Sequence, residues 1–195
     1  MCTRRVARAL TLFGVLAAAA CGWPGRPTGA VPPLREECAV YSIALHRVFT
    51  EDSQSASLRV VRTTTVPVSF DGSYERRLRD DRAHALAGLK DETIRSFVER
   101  NRGHSTLPEP LSPGMPYSWV SNEDFLSRKA MANVRPDGRI DRLAVLSAAG
   151  YDRAHTQALV YVVDACPLCG HAEYVLLTRT PLGWAVTAQA DDWWS

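Results

Sequence analysis

Apolar positions along this chain follow three patterns in turn: one unbroken run near the start, helical spacing through the first half, and short strand-like runs in the last third. The unbroken run, Ala9 to Ala20, carries no charge, follows Arg4, Arg5 and Arg8, and ends in Ala18-Ala19-Ala20-Cys21. A basic start, a short apolar stretch and small residues before a cut site predict a signal peptide over residues 1–20. The run is shorter than the roughly 20 apolar residues that span a bilayer, and Gly22-Trp23-Pro24-Gly25 follows it in place of a stop-transfer pattern.

In the first half, Leu34, Cys38, Tyr41, Leu45 and Val48 fall on one face of a helix, with Glu36 and Glu37 in its first turn and His46 and Arg47 in its last. That charge placement suits the helix dipole. Cys38 lies on the apolar stripe and reads as a small buried hydrophobe. Leu58 to Val68 is rich in Val and Thr and ends near Pro67, as an edge or terminal strand would. After a turn at Asp71-Gly72, residues Glu75 to Leu89 and Asp91 to Asn101 read as two helical pieces, the second with Asp91 as N-cap and Gly103 beyond its end. His84, in the first piece, reads as a surface or satisfied histidine.

Gly103 to Pro116 holds prolines 108, 110, 113 and 116 and predicts a long ordered loop. Tyr117 to Val120 suits a short strand. Ser121-Asn122-Glu123-Asp124 has the capping-box form and starts a helix expected to reach Ala132, before Pro136-Asp137-Gly138 breaks it with turn chemistry. The last third holds four short apolar runs, Leu143 to Ala149, Gln157 to Ala165, Ala172 to Thr180 and Trp184 to Gln189, divided by evenly spaced turns. Such spacing predicts an antiparallel meander. Both alternating faces of Leu159-Val160-Tyr161-Val162-Val163 are apolar, so that strand is expected at the centre, covered on both sides. The fold class predicted is α+β, with N-terminal helices packed on a C-terminal meander of about four strands.

Small residues ahead of Cys21 resemble the lipobox of bacterial lipoproteins, whose cysteine is acylated and becomes the new N-terminus. This chain departs from that pattern in having Ala18 where the family has leucine; its nearest leucine is Leu16. The alternative is ordinary cleavage near Ala20, which leaves a soluble periplasmic or secreted protein. From Cys21 to Pro33 four prolines and three glycines forbid a backbone ladder, so residues 21–33 read as a flexible tether and 34–195 as a single domain. The expected location is the bacterial cell envelope, with the membrane as partner through the lipid.

Cleavage at residue 20 removes three of the 23 basic side chains and none of the 21 acidic ones, which leaves a net charge of −1. Nucleic-acid binding draws on a clustered positive surface, and this balance gives no reason to expect it. The locally basic stretches Glu75 to Arg79 and Arg139 to Arg142 are interleaved with acids and read as solvated faces.

Gly150-Tyr151-Asp152, Thr156 to Val162, Cys166-x-x-Cys169-Gly170, Tyr174 to Leu177, Gly183-Trp184-x-Val186 and the terminal Trp194-Ser195 together resemble a group of uncharacterised exported bacterial proteins. The likeness covers residues 140–195 well and the helical half loosely, and Trp193 and Pro167-Leu168 depart from it. It implies export and the meander, and it transfers no catalytic residue.

The motif with chemical potential is Cys166-Pro167-Leu168-Cys169. Outside the cytoplasm these thiols are expected to pair and staple a turn between central strands, a loop closure worth about 2 kcal/mol at best. Cys-Pro-x-Cys also resembles the active loop of glutaredoxins, which makes a thiol–disulfide oxidoreductase the alternative function. A reactive thiolate there needs a helix N-terminus, whereas Ala172 to Leu177 reads as a strand. A zinc knuckle through Cys166, Cys169 and His171 reaches three ligands where a closed site needs four, and His155 falls at the far end of the hairpin. Serine-nucleophile, zinc-protease, phosphate-loop and dinucleotide patterns are absent from the sequence. Asp80-Asp81 and Asp191-Asp192 are sequence neighbours that do not face each other. No metal or cofactor is called for, and the expected role is structural or binding, with no enzymatic activity. Trp184 is expected in the core.

Overall fold

The computed structural model describes residues 34–49, 55–64, 73–81, 84–127, 140–165 and 170–194. In chain order the elements are α1 (Leu34–Phe49), β1 (Ser55–Val61), α2 (Ser73–Asp81), α3 (Asp91–Arg100), β2 (Tyr117–Val120), α4 (Asn122–Leu126), β3 (Ile140–Leu146), β4 (Gly150–Tyr151), β5 (Gln157–Ala165), β6 (His171–Thr180) and β7 (Gly183–Trp194). The protein has both helices and a mixed sheet of seven strands in the order β2-β1-β3-β5-β6-β7, with β4 paired to β5.

The expected antiparallel part is present as β3, β5, β6 and β7. The sheet is nevertheless larger than the predicted four strands, because β1 and β2 from the helical half join it in parallel. β1 is also not at an edge: it lies between β2 and β3, and Pro67 falls outside the described residues.

Both faces of the sheet are covered, which explains why β5 lacks a polar side. Ala158, Val160 and Val162 point to one face with Val175 and Leu177, against Tyr41, Ala44 and Leu45 of α1. Leu159 and Tyr161 point to the other, with Tyr174 and Leu176, against Ile94 and Phe97 of α3 and Leu78 of α2. Each buried Val, Leu, Ile or Phe among them contributes about 1.5–3 kcal/mol of transfer free energy. Cys38 is buried in the α1 cluster, as expected, whereas Leu34 is 61% exposed and lies off the buried stripe. The proline-rich loop is ordered: Leu107 and Leu111 are buried with α1, and the Ser112 N–H donates to Ser42 Oγ at 2.8 Å.

Three helix boundaries differ from expectation. α2 ends at Asp81 and residues 84–88 are turns, with His84 exposed, yet Leu86 and Leu89 still fill the core. α4 ends at Leu126, although Ser121 caps it as predicted by accepting from the Asp124 N–H. Asp91 is the first helical residue of α3; the N-cap is Lys90, which offers no side-chain bond. Its place is taken from another element, for Gln157 Oε1 on β5 accepts both the Lys90 N–H (2.8 Å) and Thr93 Oγ1 (2.9 Å). That pairing supplies an orphan donor of the helix start with a partner.

α3 also approaches β4 closely. A Cβ built on Gly150 would lie 2.4 Å from Phe97 Cα, so a glycine is required there by contact. Asn101, fully buried at the end of α3, clasps the segment before β4: its amide donates to Ala148 O and its carbonyl accepts the Ala148 N–H, both at 2.8 Å.

Candidate functional site

Cys21, Cys166 and Cys169 lie outside the described residues, as do residues 1–33. The strands flanking the cysteine turn are described. β5 runs to Ala165, and β6 starts at His171, so the chain after Cys169 enters a strand and not a helix.

At this end of the sheet Asp164 and His171 are direct cross-strand partners. They share the α1 face with Arg142 of β3 and Glu173 of β6. Arg142 donates through Nη2 to Asp164 Oδ2, and its guanidinium lies 4.8 Å over the Phe49 ring. The imidazole of His171 sits between two carboxylates, with Nδ1 3.5 Å from Asp164 Oδ2 and Nε2 3.5 Å from Glu173 Oε1. Glu173 Oε2 accepts from Gln189 Nε2 at 2.6 Å, and Gln189 Oε1 accepts from Arg47 Nε at 2.7 Å. A continuous polar chain thus runs from β3 across β5, β6 and β7 to α1.

One atom in this chain stands out. The Asp164 side chain is 1% exposed, and its Oδ1 has no hydrogen-bond partner among the described residues. Buried polar atoms are nearly always paired, and leaving one unpaired costs about 1–3 kcal/mol. The arrangement leaves one carboxylate oxygen, Asp164 Oδ1, with unused acceptor capacity among the described residues, close to an imidazole set between two carboxylates. Among the described residues no group of three His, Cys, Asp or Glu side chains is placed to hold a metal ion.

Sequence reasoning weighed His171 as a third zinc ligand, read Arg142 as part of a solvated face although its side chain is 13% exposed and paired with Asp164, and missed Asp164 and Glu173. The available signal was a carboxylate inside each of two apolar runs, Leu159 to Ala165 and Ala172 to Leu177.

The opposite end of β5 carries a second buried carboxylate in a different setting. Asp152 Oδ1 accepts the N–H groups of Thr156 (2.7 Å) and Gln157 (2.8 Å), and Oδ2 accepts Lys90 Nζ (2.6 Å) and Thr156 Oγ1 (2.7 Å). Burial works to raise its carboxyl pKa, but the hydrogen bonds from Lys90, Thr156 and Gln157 outweigh it and hold it below the usual value. This is a closed turn, in which His155 adopts a positive φ of 53°. His155 stacks on Tyr151 with centroids 5.3 Å apart, and Trp184, half-buried, meets the same tyrosine edge-on at 6.2 Å. Trp184 therefore packs against the core, as expected. Burial, reinforced by Glu37, pushes the Tyr151 phenol well above its ordinary value.

No helix among the described residues is long and apolar enough to cross a membrane. No known protein family, curated protein or solved structure matches the chain.

Proposed function

We propose that the chain is exported, cut ahead of Cys21, acylated there, and held at the bacterial envelope, where the domain spanning residues 34–195 plays a structural or binding role. The finer architecture of that proposal is helices over an antiparallel meander whose cysteine turn is stapled by a Cys166–Cys169 disulfide. Export and anchoring are supported by the charge-free run Ala9 to Ala20, the small residues before Cys21 and the proline- and glycine-rich segment after it.

The observation that carries the binding role is the buried Asp164 Oδ1, unpartnered among the described residues, on a carboxylate whose other oxygen meets Arg142 and His171. An oxygen so placed accepts an N–H or O–H that a partner supplies. The oxidoreductase alternative gains less support, because β6 begins two residues after Cys169 and the following chain offers no helix N-terminus to stabilise a thiolate.

Two measurements test this reading. Intact-mass analysis of the native protein from washed membranes is expected to give a chain that begins at an acylated Cys21; Met1 retained in a cytosolic fraction contradicts it. Thiol trapping is expected to find a Cys166–Cys169 pair that resists mild reductant, with no insulin-reductase activity. Rapid turnover of insulin disulfides would replace the binding role with the redox one.

A further inference from the structure

The sheet has two edges of unequal length. β2 closes one with 4 residues, Tyr117–Val120, and β7 closes the other with 12, Gly183–Trp194. β7 is hydrogen-bonded to β6 on one side, and among the described residues neither a strand nor a loop pairs with its other side. A long free edge is a template for another strand, and edges that stay single are commonly blunted with lysine or proline. β7 contains neither, and its charged residues, Asp191 and Asp192, stand together near one end.

A bulge near the middle of β7 restricts how a further strand can pair with it. The pairing to β6 skips Thr187, so Trp184, Val186, Gln189 and Asp191 share the α1 face, while Ala185, Ala188 and Ala190 share the α3 face. Residues directly opposite each other in an antiparallel pair must lie on the same face. Trp184, Val186 and Ala188 are only partly buried within one chain, so a strand laid along this edge covers apolar surface as well as backbone.

We infer that β7 pairs with β7 of a second copy of this chain, antiparallel about a twofold axis between Thr187 and Ala188. Trp184 then lies opposite Asp191 of the partner subunit, Ala185 opposite Ala190 of the partner subunit, and Val186 opposite Gln189 of the partner subunit. Each of these pairs shares a face. A shift of the register by one residue either way sets Val186 against Ala188 or Ala190 of the partner subunit, on the wrong face. The twofold also keeps like charges apart: the two copies of Asp191 stand about seven residues, or about 23 Å, from each other along the strands. Parallel pairing would set them side by side. Because both strands are the same, each match occurs twice, which makes this edge complementary to itself.

The test sizes the full-length protein, solubilised from membranes, by sedimentation in density-matched detergent. At roughly 50 µM the particle is expected to hold two chains; a single chain overturns the inference. Thr187 is exposed and stands beside the axis, so it takes the variants. Thr187→Lys is expected to weaken dimerisation roughly tenfold without moving the unfolding midpoint, and Thr187→Ser to leave dimerisation unchanged. A short bismaleimide is expected to join two chains through Thr187→Cys and not through Asp191→Cys, beyond any links the unsubstituted chain forms. A dimer indifferent to Thr187→Lys, or joined through Asp191→Cys and not Thr187→Cys, uses another surface or register and overturns the inference.

Discussion

Two aspartates mark opposite ends of β5, and both are almost excluded from solvent, with side-chain exposures of 2% for Asp152 and 1% for Asp164. Around Asp152 every neighbour donates: two backbone N–H groups, a hydroxyl and an ammonium fill both oxygens. Around Asp164 one oxygen meets Arg142 and His171, and the other meets no partner among the described residues. A saturated carboxylate is accounted for by the turn it closes. An unsaturated one burdens the fold by about 1–3 kcal/mol, and no contact among the described residues offsets that cost at Oδ1. The contrast makes the Asp152 end of β5 a closed turn and leaves the Asp164 end with one carboxylate oxygen unpartnered among the described residues, the feature on which the proposed binding role rests.

The largest expected effect tests the seat of the structural end. Gly150→Ala sets a methyl against the Phe97 backbone, which cannot yield without moving α3 off β4. A loss of about 4 kcal/mol is expected, read as a shift in urea midpoint; a loss under 1 kcal/mol would mean that α3 is loosely held. Asp152→Asn comes next. Its amide nitrogen must face donors whichever way it turns, so about 3 kcal/mol is expected by the same assay.

Acid titration then isolates the charge of that end. The Asp152 pKa is lowered in the folded protein, so its contribution is present above the ordinary value of 3.8 and is lost as pH falls through the lower folded value. Stability measured from pH 5 down to pH 2 should fall along a slope that Asp152→Asn reduces; an unchanged slope removes the carboxylate from the account. Alkali acts on the buried phenols. Burial raises Tyr41 and Tyr151, so stability is complete below the ordinary value of 10.0 and declines above it, and Tyr151→Phe should soften that decline. The smallest effect lies away from both ends: Ser121→Ala removes the cap of α4 and should cost about 1 kcal/mol.

The antiparallel strands were legible because alternation and turn residues are local signals: β5, β6 and β7 fall on the runs that predicted them, and β3 begins three residues ahead of its run and shares only its first four residues. What stayed hidden depends on distant partners. β1 lies inside the sheet because β2 and β3, both far along the chain, pair with it in parallel, and composition around Pro67 cannot reveal that. The start of α3 is served by Gln157, 67 residues after Lys90, so a local search for a capping side chain settles on Asp91 instead. The candidate site was half visible. Asp164 and Glu173 interrupt apolar runs, but only the register that sets Asp164 against His171 and brings Arg142 alongside turns two misplaced charges into one cluster.

The difference in unfolding free energy between Asp152→Asn and Asp164→Asn tests the assignment of the two ends most directly. At Asp164 an asparagine can present its oxygen to Arg142 and its nitrogen where no described donor stands, so the expected loss is about 1.5 kcal/mol, half that at Asp152. A loss at Asp164 equal to or above that at Asp152 would make both carboxylates structural and remove the physical basis for a binding role beside the cysteine turn.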